Sequence, residues 1–129
     1  MSRYGPRIAA LERRAERERR HLERADSPLE GRDDGVLRPE EPSEYLRDGA
    51  GPAIWLYVEG RTGGRLVQFS PAELAALESA MNDWFECYAL CHGVDLDAEF
   101  TVREAAELLL ETRNVIDTAQ LLTQVPARA

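Results

Sequence analysis

Lysine is absent from this chain of 129 residues, so all 16 basic residues are arginine, and 24 acids leave a net charge of −8. A surface of that sign repels nucleic acid and anionic lipid unless positive charge is gathered in one place. Histidine and cysteine are scarce, at two each. Two histidines leave little material for acid-base chemistry near neutral pH. Cys87 and Cys91 fall four apart on one predicted helix, where their Cβ vectors are poorly aimed for a disulfide, so they read as reduced thiols. No run of 18 apolar residues occurs, so nothing is expected to span a membrane. The arginine-rich start also lacks the apolar core of a signal peptide, and the expected compartment is the cytoplasm.

What is present is unevenly distributed. Residues 1–25 hold eight arginines against four glutamates, a local balance of +4, whereas the remaining 104 residues carry eight arginines against 20 acids, a balance of −12. The sequence thus predicts a basic arm on an acidic body. Good helix formers fill residues 6–25, and Arg14 with Glu18, Glu16 with Arg20, and Arg19 with Glu23 offer i,i+4 support. Only Ile8, Leu11, Ala15 and Leu22 make an apolar stripe, interrupted at Glu18, so the expectation is a mobile or projecting helix. Residues 26–52, rich in proline, glycine and acid, read as a disordered linker. One helical turn over 43–48 would carry Tyr45 and Leu46 onto the body.

The folded part is expected over 53–129, as an α+β domain. Ile54–Glu59 and Arg65–Phe69 are rich in β-branched and aromatic residues and flank a glycine-bearing loop, the pattern of a β-hairpin. The stretch Ser70–Cys91 is the strongest helix signal. Leu74, Leu77, Met81, Trp84, Tyr88 and Cys91 share one face, and Ser70, Pro71 and Glu73 form a capping box with proline at the first helical position. Gly93 supplies the stop. Glu78, Asn82, Asp83 and Glu86 are expected on a polar back. Two shorter helices follow, one capped by Thr101 and one by Asn114, the latter burying Val115, Ile116, Ala119, Leu122 and Val125. The predicted architecture is a hairpin packed on a long amphipathic helix plus two C-terminal helices, preceded by a charged helical arm and a flexible linker.

Several patterns resemble sites and have plainer explanations. Cys87, Cys91 and His92 lack the ligand number and aim that tetrahedral zinc needs, and buried thiols account for the cysteines. GRTGGR over 60–65 lacks the lysine and hydroxyl of a phosphate loop and suits hairpin glycines. Asp95, Asp97 and Glu99 alternate as a calcium loop does, but Phe100 and Ala106 stand where its glycine and glutamate belong. No catalytic residue, metal or cofactor is assigned.

Two resemblances bear on role. Acid surplus with arginine as sole base resembles the compositional style of small acidic haloarchaeal proteins of unknown function, which implies a high-salt cytoplasm and no chemistry. Thr101–Leu109, TVREAAELL, resembles the opening helix of excisionase and MerR-type helix-turn-helix proteins. That resemblance implies DNA contact by the unit at 101–125. The following helix carries no arginine, so phosphate affinity would fall to Arg103 and Arg113 with Arg13, Arg14, Arg17 and Arg20 of the arm.

The function expected from these features is a non-enzymatic interaction or regulatory accessory module. Self-association or an unknown protein partner is favoured over nucleic acid, with no role at a membrane. The first predicted strand is apolar on both faces, so Trp55, Tyr57 and Phe69 on the sheet and Trp84 and Phe85 on the helix are the expected interface anchors, in a homodimer. The alternative is a DNA-binding regulator.

Overall fold

The structure, a computed structural model, describes residues 4–24, 43–62 and 69–125. Within them the chain is all helical: α1 (Gly5–Arg24), a π-helical turn (Leu46–Ala50) running directly into α2 (Gly51–Thr62), α3 (Pro71–Cys91), α4 (Val102–Thr112) and α5 (Val115–Thr123). No strand occurs among the described residues, and the α+β expectation is corrected to all-α. The proposed first strand, 54–59, is the middle of α2; residues 65–68 of the proposed second strand and residues 26–42 of the proposed linker lie outside the described residues.

The misread segment has a physical explanation. Ile54, Leu56 and Val58 are buried, as are Ala50 and Ala53, while Tyr57 is half-buried against the core. A helix enclosed on most sides is apolar on most sides, so its sequence loses the 3.6-residue period and looks like a buried strand. Small residues complete the packing. At Gly49 an added Cβ would lie under 3.0 Å from three carbons of the Trp84 ring, and at Gly60 under 3.0 Å from two carbons of the Phe69 ring. The run Gly49–Ala53 is thus a close-packed seam of helices, and its glycines are there for proximity.

Pro52 accounts for the π turn. A proline here has no N–H for the carbonyl four residues back and its ring crowds that carbonyl. The backbone widens instead, and the N–H of Gly51 donates to the carbonyl of Leu46, five residues back.

Helix α3 is central. Its start matches the sequence expectation in detail: the Glu73 N–H donates to Ser70 Oγ at 3.0 Å, the Ser70 N–H donates to Glu73 Oε1 at 2.9 Å, and Pro71 occupies the first turn. Leu77, Met81, Trp84 and Tyr88 of the predicted stripe are buried, and Cys91 is exposed. Gly93 ends the helix region with φ of 74°.

The back of α3 is polar but not merely solvated. Glu78, Asn82 and Glu86, four apart, face the extended connection before α4. The N–H of Val102 donates to Glu78 Oε2 at 3.1 Å, that of Phe100 to Asn82 Oδ1 at 3.1 Å, and that of Ala98 to Glu86 Oε2 at 2.8 Å. Asn82 Nδ2 also donates to the Phe100 carbonyl at 2.9 Å. Four helical residues rise about 6 Å and two extended residues advance about 6.5 Å. The two repeats therefore stay in step over three rungs. Asp95, Asp97 and Glu99 point to solvent.

The N-terminal helix does not project. Ile8 and Ala15 are buried, with Leu11 and Leu22 packed beside them, so the narrow stripe seats α1 along α3. The break at Glu18 does not spoil the seam, because polar partners cross it: Arg19 Nε lies 2.7 Å from Glu86 Oε1 and its Nη1 lies 3.5 Å from Asp83 Oδ1. Tyr4 fixes the start of α1 by donating to Glu59 Oε2 at 2.9 Å, with its ring 6.0 Å from that of Phe69.

Thr101 caps α4 by accepting from the Glu104 N–H, and Asn114 caps α5 through Oδ1 accepting from Ile116 and Asp117, as their side-chain chemistry predicts. Arg113, between the two helices, ends α4 in the left-handed region at φ 58°, as Gln124 ends α5 at φ 60°. A side chain there costs about 1 kcal/mol or more that glycine would not incur.

Candidate interaction groove

The π turn and the first turn of α2 present Arg47, Gly51 and Trp55 along one side, at spacings of four. Opposite them stand Leu109 and Arg113 from the end of α4 and Val115 from the start of α5. With Pro52 these residues line an open groove of about 220 Å³. An added Cβ at Gly51 would sit 2.9 Å from the Leu46 carbonyl of its own turn and 3.4 Å, ordinary contact, from Val115 Cγ2 on the opposite wall. Leu109 is buried and Val115 half-buried, giving an apolar floor, while Trp55 stands over it with 49% of its surface exposed. Arg47 and Arg113 rim the groove, and no acid lines it among the described residues. Arg47 Nη1 lies 3.4 Å from Ser43 Oγ.

A groove of this size is smaller than the roughly 300–1,000 Å³ of ordinary small-molecule sites. It suits one large side chain entering from another molecule. A tryptophan with about half its surface exposed, lining a groove with two arginines, is the kind of anchor that binding surfaces favour.

The other predicted anchors are placed differently. Trp84 and Phe85 are both 0% exposed and form the core, so neither ring is presented at the surface. Tyr57 stacks on Phe69 with centroids 6.1 Å apart, and both are half-buried where α1, α2 and the approach to α3 meet. Of the five expected anchors, Trp55 alone is presented.

The arginines expected to reach nucleic acid divide into separate places. Arg13, Arg14, Arg17 and Arg20 line an open hollow of about 580 Å³ on α1, together with Ala10 and Glu16. Arg20 pairs with Glu16, and the Arg14 guanidinium lies 5.7 Å from the Trp84 ring centroid. Arg103 and Arg113 on α4 are exposed and do not line that hollow. The outer residues of α5, including Asp117 and Leu121, offer no cation.

Both cysteines are free, Cys87 buried and Cys91 exposed. Burial, reinforced by Glu18 and Asp83, pushes the Cys87 thiol far above its ordinary range, so it stays protonated at neutral pH. Asp83 is raised to about 6, chiefly by burial, with Arg19 opposing and Glu86, Glu16 and Glu12 adding to the rise. No group of three or more potential metal ligands occurs among the described residues, and no helix there is long and apolar enough to cross a membrane.

Residues 2–127 match the family described as a domain of unknown function, DUF8055. The chain belongs to that family. The match takes in α1 together with the helices it packs against, so the N-terminal helix lies within the DUF8055 domain. No curated protein and no solved structure matches the chain.

Sequence reasoning reached Trp55 and Arg113 by other arguments and missed Arg47, Gly51, Pro52, Leu109 and Val115 as their neighbours. A usable signal was present in the small residues Gly49, Ala53 and Gly60, which together with Leu56 follow helical spacing across the supposed linker boundary.

Proposed function

We propose that this DUF8055 domain is a non-enzymatic interaction module that engages a partner protein through the groove at Trp55. The observation that carries the reading is a large aromatic ring held half-exposed over an apolar floor, while Trp84 and Phe85 of the candidate anchor set are packed inside and Tyr57 and Phe69 are half-buried against each other. Self-association through a strand edge has lost its basis, because the edge is a helix. The DNA-binding alternative draws less support, since Arg103 and Arg113 do not line the hollow that the α1 arginines share and α5 is without a base.

The test is position-specific photocrosslinking in cells that express the chain natively. A benzophenone amino acid at position 47, on the rim of the groove with Trp55 left in place, is expected to yield a discrete adduct, while the same group at the exposed Glu107 position yields none. Equal or absent adducts at the two positions would defeat the reading.

A further inference from the structure

The residues lining the groove narrow the class of partner it would take, provided the interaction-module reading holds. We infer that the Trp55 groove takes an acidic protein segment, seating one large apolar side chain against Trp55, Leu109 and Val115 and placing a neighbouring carboxylate on Arg113. Three observations converge on it.

The first is charge. In a chain of net charge −8, the lining of this groove holds two arginines and, among the described residues, no acid. A locally positive hollow on a negative body selects for a short acidic stretch. It disfavours a long polyanion, which would meet the negative remainder of the surface. The planar guanidinium of Arg113 suits a carboxylate, with two parallel N–H donors available to its two oxygens.

The second is shape. The floor is aliphatic and the volume, about 220 Å³, accommodates a single side chain. An apolar anchor flanked by acids fits it, and the adjacent Trp55 ring supplies the contact face.

The third is the backbone at Arg113. Its φ of 58° is one that glycine adopts at lower cost, and the Arg113 N–H donates to the Leu109 carbonyl at 2.7 Å to close α4. The side chain is exposed, so it contributes little packing in return. An arginine standing at a backbone position that suits glycine better is accounted for if its side chain has work outside the fold.

The experiment uses the full chain and synthetic peptides of seven residues, acetylated and amidated, with a central Leu, Phe or Trp flanked by Asp and Glu. Matched pools replace the acids with Arg, or the central residue with Gly. Binding is read from the Trp55 indole N–H resonance, assigned with Trp55→Phe. The acidic pool is expected to shift this resonance at least tenfold more tightly than either matched pool, and to weaken as salt rises from low to about 0.5 M. Arg113→Gly is expected to bind the acidic pool at least fivefold more weakly while melting about 2–4 °C higher than the parent.

A purely structural Arg113 would instead give unchanged binding in that variant, which overturns the proposal. Equal binding of acidic and basic pools overturns the acid preference and leaves the interaction groove standing. Silence of the Trp55 resonance with every pool defeats the groove and the interaction reading together. An oligothymidylate that shifts Trp55 and Arg113 more tightly than the acidic pool overturns the proposal in favour of single-stranded nucleic acid.

Discussion

Gly49→Ala sets two well-separated effects against each other. In an exposed helix this change gains about 1 kcal/mol, because alanine loses less backbone entropy than glycine. At this position the new methyl would press within 3.0 Å of three Trp84 ring carbons. The ring has little room to retreat: it is 0% exposed, its centroid is 5.7 Å from that of Tyr45, and Arg14 lies over it at 5.7 Å. Overpacking a filled core costs about 1–3 kcal/mol, and a contact this close belongs near the upper end. The net expectation is a loss of about 2 kcal/mol, which at about 2.1 cal/mol/K per residue over the chain lowers Tm by about 7 °C. Calorimetry measures the shift, and the long-wavelength tryptophan band of the near-ultraviolet circular dichroism spectrum in a Trp55→Phe background reports on Trp84, the other tryptophan of the chain. Gly93→Ala is the control, since no atom lies within 4 Å of its added methyl and only the φ of 74° is at stake. A Gly49→Ala protein more stable than its parent, with an unchanged Trp84 signal, would refute the close packing of the π turn on α3.

Two further outcomes test the polar seams. Asp83 is raised from 3.8 to about 6 in the fold, so the folded state holds its proton more tightly than the unfolded chain does. Its contribution to stability is therefore greatest below about pH 4 and is lost as pH climbs through 6; Asp83→Asn should flatten that slope and exceed the parent at pH 7 by on the order of 1 kcal/mol, read from paired urea titrations over pH 4–8. Asn82→Ala removes both hydrogen bonds to Phe100 and should cost about 1–2 kcal/mol in urea titration while accelerating amide exchange at Phe100. Unchanged exchange there would show that the connection is held by other means.

The helix ends were the most legible part of the sequence. Ser70, Thr101 and Asn114 announce caps because their short polar side chains satisfy backbone N–H groups that nothing else reaches, a local event that needs no knowledge of the fold. The face of α3 was legible for a related reason: one side meets the core, so the apolar period survives in Leu77, Met81, Trp84 and Tyr88. Where a segment meets neighbours all round, that information disappears. Ile54 to Val58 read as a strand because β-branched and aromatic residues suit either a buried strand or an enclosed helix, and tertiary packing decides between them.

Partner-dependent meaning was equally hidden. Glu86 looked like a solvated acid, yet it accepts the Ala98 N–H and meets Arg19 of α1, two contacts that lie 12 and 67 positions away along the chain. Arg19 itself was counted with a basic arm, although it turns inward. The candidate groove was illegible as a unit, since its residues come from two stretches, 47–55 and 109–115, more than 50 positions apart. Only Trp55 and Arg113 carried any signal, one for its aromatic area and the other for its charge.

The three rungs that tie Ala98, Phe100 and Val102 to α3 set a rule for how this sequence can vary in length. Because each rung consumes two residues of connection for every four of helix, inserting or deleting one residue between 98 and 102 would turn N–H groups away from their acceptors and reverse which side chains face inward. The same change between 94 and 97 breaks none of the three rungs and has only the packing of Val94 and Leu96 to disturb. Natural variants of the domain should therefore differ in loop length on the α3 side of Ala98, and keep a fixed count from Ala98 to the first residue of α4.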